Sequence, residues 1–251
     1  MTSDRRVDRL WVRVFPSERE LDVASAADAT TVLQAAVADR GAAYAMFATG
    51  NSQLGFLGEL VTRDVDWSRV VVFHMDEYVG VGSDHPAGFG RYIRERIADR
   101  IHPRTVHYLN GTGDVEAECE RYAGLLREHR LDLCCLGIGE NGHLAFIDPP
   151  VCDFHDPRDA RVVALDEACR RQQVHDGAFA RLDDVPKTAL SLTIPRLLRV
   201  ATAVAVVPGP AKRAAVAAAV IGPVTRSCPA SILRRHPDAR LFLDVASAAG
   251  V

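Results

Sequence analysis

Residues 69–75 read RVVVFHM, and the polar triplet DEY follows directly at 76–78. The run 69–75 is the clearest β-strand in the sequence. Its uninterrupted apolar character is typical of a strand buried on both faces of a parallel sheet. On both sides of it, short β-branched runs alternate with amphipathic or alanine-rich stretches. This alternation predicts a Rossmann-like α/β fold, in which helices cover both faces of an open, mainly parallel sheet.

The other predicted elements continue the alternation. A capping-box pattern at Ser25 and Asp28 predicts the start of a helix that Gly41 ends. The segment 148–185 is the least regular part, and no linker or repeat divides the chain, so we predict a single domain over 1–251. Further strands are predicted at 42–48, 105–109, 131–139, 160–165, 188–194, 201–207 and 239–245, and further helices at 53–61, 90–101, 114–129, 211–221 and 229–236.

Composition excludes several classes of protein. Hydrophobic residues make up 48% and charged residues 25% of the 251 residues, as in folded globular domains. The formal net charge of −3 provides no positive field for nucleic acid. No apolar run is long enough for a membrane span, and the charged N-terminus lacks a secretory signal, so we expect a cytoplasmic protein. The six cysteines lack Cys-x-x-Cys spacing and are expected to be reduced and mostly buried.

Four polar loops are predicted where strands end. Open parallel sheets bind ligands beyond the carboxyl ends of their strands, where loops and helix N-termini converge. Each of the four loops directly follows an apolar strand, and together they are the candidate site: 48–52, 74–78, 137–143 and 208–212.

The first and last of these loops have the features of an anion site. Thr49, Gly50, Asn51 and Ser52 combine a permissive glycine, two hydroxyl groups and a helix start, which suits a phosphate group. Lys212 lies one turn into a helix and would reach the same anion. The alternative is structural, because a strand-to-helix turn needs glycine and a polar cap in any case, and a lone helical lysine is commonly solvated.

Two adjacent carboxylates, Asp76 and Glu77, stand where the buried strand emerges. Carboxylates are costly at such a position, so one of them is a candidate general base. The alternative is that they cap or salt-bridge neighbouring loops. His74 and Asp76 are expected on the same face of the strand, which would permit a metal ion. Since no third ligand has a suitable spacing, we predict no metal site.

The stretch GIGENG at 137–142 matches the dinucleotide-binding fingerprint. That motif must open a helix, whereas the residues after it run into Pro149 and Pro150, which stop helices. We therefore predict no nucleotide cofactor. The glycines instead permit a sharp turn that presents His143, with Asn141 and Asp148 nearby. An imidazole beside an amide and a carboxylate suits acid-base chemistry, and the alternative is an ordinary core or surface histidine.

With the loops in this order, the chain resembles the glucosamine-6-phosphate deaminase and 6-phosphogluconolactonase superfamily. It resembles the deaminase branch more closely. The resemblance spans nearly the whole chain, and the Asp-Glu-Tyr-x-Gly run followed by His-Pro is its deaminase-like version. Together with the Lys212 helix, four stretches carry it: MDEYVGVGSDHP (75–86), LGIGENGHLAF (136–146), VPKTALSLTI (185–194) and CPASIL (228–233).

The resemblance implies a hydrolase/isomerase that needs neither metal nor nucleotide. Such an enzyme opens the ring of glucosamine 6-phosphate, isomerises aldose to ketose, and releases ammonia to give fructose 6-phosphate. His143, oriented through Asn141 and Asp148, would open the ring, and Asp76 would move a proton between C2 and C1. The substrate-binding residues implied are Thr49, Gly50, Asn51, Ser52, Gly142, Arg171 and Lys212.

Several positions depart from the deaminase pattern. Asn141 stands where some members carry aspartate, Asp148 replaces the usual glutamate, and His74 stands where asparagine is common. Asn51 lies at a place in the phosphate loop that is usually kept open. The family's phosphate-contacting arginine does not align cleanly with 169–173, where Arg170 and Arg171 are the candidates.

These departures leave alternatives open. One is a related enzyme that acts on another sugar phosphate. Another is a hydrolase like 6-phosphogluconolactonase, which shares the fold but needs no proton transfer at C2. A third is a regulator that binds a sugar phosphate without turning it over. A homo-oligomer is possible, and the sequence does not decide the oligomeric state.

Overall fold

A computed structural model describes residues 3–251, in which the strands form two sheets. The larger sheet is parallel except for its first strand, which pairs antiparallel with the second. Its strands lie in the spatial order β1 (Ser3–Val7), β2 (Leu10–Phe15), β11 (Ala239–Asp244), β10 (Val200–Val207), β7 (Leu131–Leu136), β3 (Ala43–Phe47), β4 (Val70–His74) and β6 (Thr105–His107). The predicted open, mainly parallel sheet is confirmed.

The smaller sheet is antiparallel and has three strands in the order β5 (Asp76–Tyr78), β9 (Thr188–Leu192) and β8 (Ala160–Ala164). The runs at 160–165 and 188–194 are therefore strands, as predicted, but they lie outside the parallel sheet. The chain leaves the large sheet at the end of β4 and enters the small one after Met75, whose carbonyl accepts a hydrogen bond from the Leu192 N–H at 2.9 Å. A candidate catalytic residue, Asp76, thus begins a strand at the junction of the two sheets.

The helices lie between the strands in chain order. They are α1 (Glu18–Arg40), α2 (Leu54–Leu60), α3 (Phe89–Ile93), α4 (Asp99–Ile101), α5 (Val115–Glu128), α6 (Glu167–His175), α7 (Ile194–Leu197) and α8 (Arg213–Val220). A π-helical turn, Arg94–Ala98, joins α3 to α4, so the helix predicted at 90–101 is continuous. Shorter 3-10 turns include Asn51–Gln53, Pro210–Lys212 and Pro229–Arg235.

The first helix begins earlier than the sequence predicts. Its N-cap is Ser17, whose hydroxyl oxygen accepts from the Glu20 N–H at 3.3 Å and whose O–H donates to the Glu20 carboxylate at 2.8 Å. Ser25 is buried inside the helix, and its hydroxyl donates to the Asp22 carbonyl at 3.1 Å. The prediction of a start at Ser25 is wrong, because Ser17 with Glu20 forms the same capping pattern eight residues upstream.

Apolar side chains form one core on each face of the large sheet. Helices α1 and α2 cover one face with residues such as Leu33 and Phe56. Helices α5 and α8 and the small sheet cover the other with residues such as Tyr122 and Leu190. All six cysteines are free and buried, as expected. Among residues 3–251, no helix is both long and apolar enough to cross a membrane.

Candidate active site

A cleft opens at the carboxyl ends of β3, β4, β7 and β10 and holds about 650 Å³ of empty space. This space includes solvent at the open mouth of the cleft. The cleft brings together residues from all four predicted loops. Its polar side chains from those loops are Thr49, Asn51, Ser52, Asp76, His143 and Lys212.

The phosphate-binding candidates form one wall of the cleft. Gly50 has a φ of 98°, a conformation that favours glycine, and its carbonyl accepts from the Tyr92 hydroxyl at 2.9 Å. The Gln53 amide donates to Ser52 Oγ at 3.1 Å and to the Val206 carbonyl at 3.0 Å, which ties the loop to β10. Asn51 also lines the cleft, and its amide donates to the Asp176 carbonyl at 2.9 Å, which holds the side chain against the end of α6.

Lys212 faces this wall from a turn of similar construction. Gly209, with a φ of 88°, precedes the 3-10 turn Pro210–Lys212, just as Gly50 precedes Asn51–Gln53. Lys212 is 9% exposed, and burial lowers the pKa of its ammonium group. A cation that has lost much of its hydration, in the same cleft as the hydroxyl residues Thr49 and Ser52, is suited to hold a phosphate.

Asp76 lies in the cleft at the start of β5 and is 6% exposed. Its Oδ1 atom is buried and has no hydrogen-bond partner among residues 3–251. Burial, reinforced by the neighbouring Glu77, raises the pKa of the Asp76 carboxyl well above its usual range. A carboxyl group with a raised pKa and a free oxygen is able to take up and return a proton.

Glu77 has a different role from its neighbour. Its carboxylate accepts from the backbone N–H groups of Tyr78, Phe89 and Gly90 at 2.9, 3.0 and 2.7 Å. Two of these donors lie in the first turn of α3, where a carboxylate stabilises the unpaired amides and the helix dipole. Of the two carboxylates, Glu77 therefore caps a neighbouring element, which was the structural alternative for the pair, whereas Asp76 does not.

His74 is completely buried and uses both ring nitrogens. Nδ1 lies 3.0 Å from the Asp76 carbonyl, and Nε2 accepts from the Leu109 N–H at 2.9 Å. Because Nε2 accepts, Nδ1 carries the proton and the ring is neutral. Neither nitrogen is available to a metal ion, so the ring positions the backbone of Asp76 instead.

His143 is held from behind by an amide and a carboxylate. Its Nδ1 lies 2.8 Å from Asn141 Oδ1 and 3.1 Å from Asp148 Oδ1. Both oxygens accept, so Nδ1 carries a proton and Nε2 is left for the cleft. Asn141 Nδ2 donates to Asp148 at 2.9 Å and to Asp166 at 3.1 Å, which fixes the amide. The structure therefore brings the three residues together.

Asp148 is fully buried. Burial alone would raise the pKa of its carboxyl, but hydrogen bonds from His143, Asn141 and the Asp166 N–H outweigh it, and the pKa is lowered. An ionised Asp148 stabilises a positive charge on the imidazole. Asn141 and Asp148 act behind His143 and do not line the cleft.

The glycines of the 137–142 stretch form a tight turn. The Gly142 N–H donates to the Gly139 carbonyl at 2.9 Å, the φ of Gly142 is 85°, and no helix follows it before the short turn Pro149–Val151. At Gly139, a β-carbon would lie 2.2 Å from Cε1 of His143. Gly142 shapes this turn and does not line the cleft, where the sequence placed it as a substrate-binding residue.

Arg171 also lies away from the cleft. Its side chain is on the exposed face of α6, and its Nε donates to Glu167 at 2.8 Å. Arg170 donates to the carbonyls of Leu182 and Val185 at 2.6 and 3.1 Å. The helix α6 directs neither arginine toward the phosphate loop. The side chains that it presents to the cleft belong to Gln172 and Gln173.

Three polar residues of the cleft wall were missed in the sequence: Gln172, Gln173 and Asp176. The charge of Arg170 and Arg171 marks them as phosphate ligands in the sequence, whereas the neutral amides of Gln172 and Gln173 carry no comparable signal. The amide Oε1 of Gln172 accepts from the Glu140 N–H at 3.0 Å, and its Nε2 donates to Asp176 at 3.2 Å. These bonds fix α6 against the loop that carries His143.

Within residues 3–251, one group of three side chains has donor atoms close enough together to bind a metal ion: His143, Asp148 and Cys169, all within 4.8 Å of one another. All three are buried. In this structure the imidazole and the carboxylate are hydrogen-bonded to each other, and the group lies behind the face of His143 that lines the cleft.

Residues 16–242 match the family described as glucosamine-6-phosphate isomerases/6-phosphogluconolactonase. The chain belongs to this family. Among curated members, the glucosamine-6-phosphate deaminase of Streptococcus pneumoniae serotype 4 is 36% identical over 200 residues, which are 78% of this chain and 83% of the relative. The deaminase of Listeria innocua serovar 6a is 35% identical over 198 residues, 78% of this chain and 82% of the relative.

Solved structures of the family show the same fold. A monomeric glucosamine-6-phosphate deaminase superposes with a TM-score of 0.87 and 27% identity, covering 96% of this chain and 99% of its own. A 6-phosphogluconolactonase from Shewanella baltica superposes with a TM-score of 0.76 and 18% identity, covering 96% of this chain and 97% of its own. The second likeness is one of fold alone, whereas the sequence likeness is to the deaminases.

Proposed function

We propose that the protein converts glucosamine 6-phosphate and water into fructose 6-phosphate and ammonia. One observation carries the proposal: Asp76, whose buried Oδ1 has no hydrogen-bond partner among residues 3–251, lines the same cleft as His143. A proton acceptor for carbon and an oriented imidazole for oxygen are the two groups that an aldose-to-ketose isomerisation requires. The deaminase relatives name the substrate.

The phosphate end of the substrate is assigned to the wall formed by Thr49, Gly50, Asn51, Ser52 and Lys212. The ammonium group of Lys212 supplies charge, and the loop supplies backbone N–H groups and hydroxyls. With the phosphate there, the sugar extends toward Asp76 and His143 on the other strands. Anchoring of the non-reacting end fixes the position of the reacting carbons.

His143 is assigned the first step, which opens the pyranose ring. Nε2 takes the proton of the C1 hydroxyl and delivers it to the ring oxygen as the bond between C1 and that oxygen breaks. The imidazole carries a positive charge between these two transfers. Ionised Asp148 and the oxygen of Asn141, both at Nδ1, stabilise that charge and hold the ring in place.

Asp76 is assigned the second step. Its carboxylate removes the proton at C2, the C–H electrons form a double bond between C1 and C2, and the carbonyl oxygen at C1 takes a proton from the substrate's ammonium group at C2. Return of the proton to C1 then gives a C2 imine. The raised pKa of the Asp76 carboxyl favours this exchange, because the acid holds the proton between removal and return.

Deamination follows from addition of water to the C2 imine. The adduct expels ammonia and leaves the ketone of fructose 6-phosphate. The core of the reaction is thus an isomerisation, and water enters only to release the nitrogen. This order of steps accounts for describing the reaction both as an isomerisation and as a hydrolysis.

The test is ammonia release and fructose 6-phosphate formation from glucosamine 6-phosphate. The Asp76→Asn variant keeps the shape of the side chain but cannot exchange the proton, so we expect kcat to fall about 10³-fold. Its circular dichroism and thermal unfolding should match those of the wild type. Stoichiometric products in the wild type and their loss in the variant support both the reaction and the role of Asp76.

A lactone assay on the same preparation separates the two branches of the family. Hydrolysis of 6-phosphogluconolactone needs no proton transfer at C2, so a lactonase would retain most of its activity in Asp76→Asn. Rapid lactone hydrolysis by the wild type without ammonia release from the amino sugar would overturn the proposal.

A further inference from the structure

Gln173 of α6 lines the cleft and is 8% exposed. Its Oε1 atom lies 2.6 Å from the hydroxyl of Tyr78, which is fully buried two residues after Asp76. This bond joins α6 to the strand that carries the proposed proton acceptor. It also determines which end of the Gln173 amide faces the cleft.

The direction of the bond follows from the surroundings of Tyr78. Burial, with nearby Cys169 and acidic side chains, raises the pKa of the Tyr78 phenol well above its usual range, so the hydroxyl keeps its proton. Gln173 is its hydrogen-bond partner among the described residues. A buried hydroxyl with one partner donates, and the amide must therefore offer its oxygen. The NH₂ group of Gln173 then points away from Tyr78.

This NH₂ group is free. Within residues 3–251, Gln173 Nε2 makes no hydrogen bond, and it is not among the buried atoms that solvent cannot reach. The neighbouring Gln172 differs, because the oxygen and the nitrogen of its amide are both used within the protein. Gln173 therefore presents an oriented, unpaired donor to the cleft.

We propose that Gln173 is a specificity-determining residue whose Nε2 donates to the hydroxyl oxygen at C3 or C4 of the sugar, and that Tyr78 is the positioning residue for its amide. The inference rests on the proposed function for the chemistry of the ligand. In that reaction the groups at C1 and C2 and the ring oxygen belong to Asp76 and His143, and the phosphate belongs to the Lys212 wall. The hydroxyls at C3 and C4 are the polar groups that remain.

The test measures binding, so that it does not depend on turnover. The probe is 2-amino-2-deoxyglucitol 6-phosphate, an open-chain analogue with no carbonyl group, together with its 3-deoxy and 4-deoxy derivatives. Calorimetry gives the Kd of each for wild type and Gln173→Leu. We expect Gln173→Leu to raise the Kd of the parent analogue about tenfold, as for loss of one buried hydrogen bond. It should leave the Kd of one deoxy derivative unchanged, namely the one that lacks the contacted hydroxyl.

Two further variants test the mechanism of positioning. Tyr78→Phe removes the phenolic oxygen and frees the Gln173 amide to rotate, so the Kd of the parent analogue should rise severalfold with the same dependence on the deoxy derivatives. Glu167→Gln lies on the exposed face of α6 and is the matched control, with unchanged Kd values. A purely structural effect in α6 would raise the Kd of all three analogues equally.

An equal loss of affinity for the parent analogue and both deoxy derivatives in Gln173→Leu would overturn the inference. An unchanged Kd for all three analogues would also overturn it. Ammonia release by the wild type is measured on the same samples. If the expected pattern of Kd values appears without ammonia release, the proposed function fails and the inference stands. If ammonia is released but the pattern is absent, the inference alone fails.

Discussion

At the scale of single residues, His74 shows how a buried polar side chain outside the cleft can position the proposed proton acceptor, Asp76. One neutral ring satisfies the carbonyl of Asp76 and the N–H of Leu109. An asparagine amide offers the same two functions, one donor and one acceptor. Histidine can therefore serve at a position to which the resemblance assigns asparagine. Burial lowers the pKa of His74 to about 4, so the ring is neutral at physiological pH.

The equivalence predicts different outcomes for two substitutions. His74→Ala leaves two buried backbone groups unpaired, so we expect the free energy of unfolding to fall by about 2–4 kcal/mol, together with lower activity. His74→Asn should recover most of both losses. Urea unfolding at pH 7.5 and ammonia release measure the two effects. If asparagine proved as damaging as alanine, the size of the ring and not its hydrogen bonds would be the important property.

At the scale of elements, the rotation of α6 decides which side chains reach the cleft. Successive residues of a helix point about 100° apart, so Arg171 and Gln173 face different directions. Arg171 is on the outer face with Glu167, whereas Lys212 faces the phosphate wall from another element. We therefore propose Lys212, and not Arg171, as the cation that binds the phosphate.

This arrangement predicts opposite results for the two cations. Lys212→Gln should raise KM for glucosamine 6-phosphate about 10–100-fold, because a hydrogen bond between charged groups is worth about 1.5–3 kcal/mol. Arg171→Gln should leave KM within about twofold of the wild type, since exposed ion pairs contribute little. Steady-state kinetics at constant ionic strength make the comparison. A large effect of Arg171→Gln would mean that α6 turns when substrate binds.

The elements that the sequence predicted well have a strong local signal, either a continuous apolar run or a helical periodicity with a cap. The buried valine run of β4 and the amphipathic α5 with its Asp114 cap are examples. The small sheet had no such signal, because three residues of β5 are too few to show an alternation, and a strand does not reveal its partner. Likewise, the first helix had two serines with the same capping pattern, and only packing selected Ser17.

At the scale of the whole molecule, stability contains a pH-dependent contribution from Asp22. Its carboxyl packs against Gly55, at which a β-carbon would lie 2.0 Å from Oδ2, and its Oδ1 has no partner in the described part of the chain. Burial, with the nearby Glu18 and Glu59, raises the pKa of Asp22 to about 7. Since the folded pKa is above the unfolded one, ionisation destabilises the fold as the pH rises from about 4 to 7.

The substitution Asp22→Asn should remove this loss of stability at high pH. We expect the variant to be about 2 kcal/mol more stable than the wild type at pH 8, with little difference near pH 4, where both side chains are neutral. Urea unfolding of both proteins at pH 4.5, 6 and 8 measures the trend. A gain in stability that is the same at each pH would instead point to a change in packing.

The parallel sheet also explains how much of the candidate site was visible in the sequence. Loops that follow parallel strands converge at one edge, so the association of Thr49, Asp76, His143 and Lys212 follows from the topology. Gln173 could not be found in this way, because its place depends on the rotation of a helix inside the least regular segment. Capping by Glu77 was one of two alternatives in the sequence, and its backbone N–H partners in the structure decide between them.

The imidazole of His143 rests against the backbone of Gly139 so closely that no other residue fits there. This constraint exists only while the imidazole is present. A descendant of this protein that lost His143 first would be free to vary at position 139. A descendant that replaced Gly139 first would displace the imidazole ring in the same step, so it would lose the glycine and the position of the ring together. The order in which such lineages accumulate substitutions is therefore set by the contact of one ring with one Cα atom.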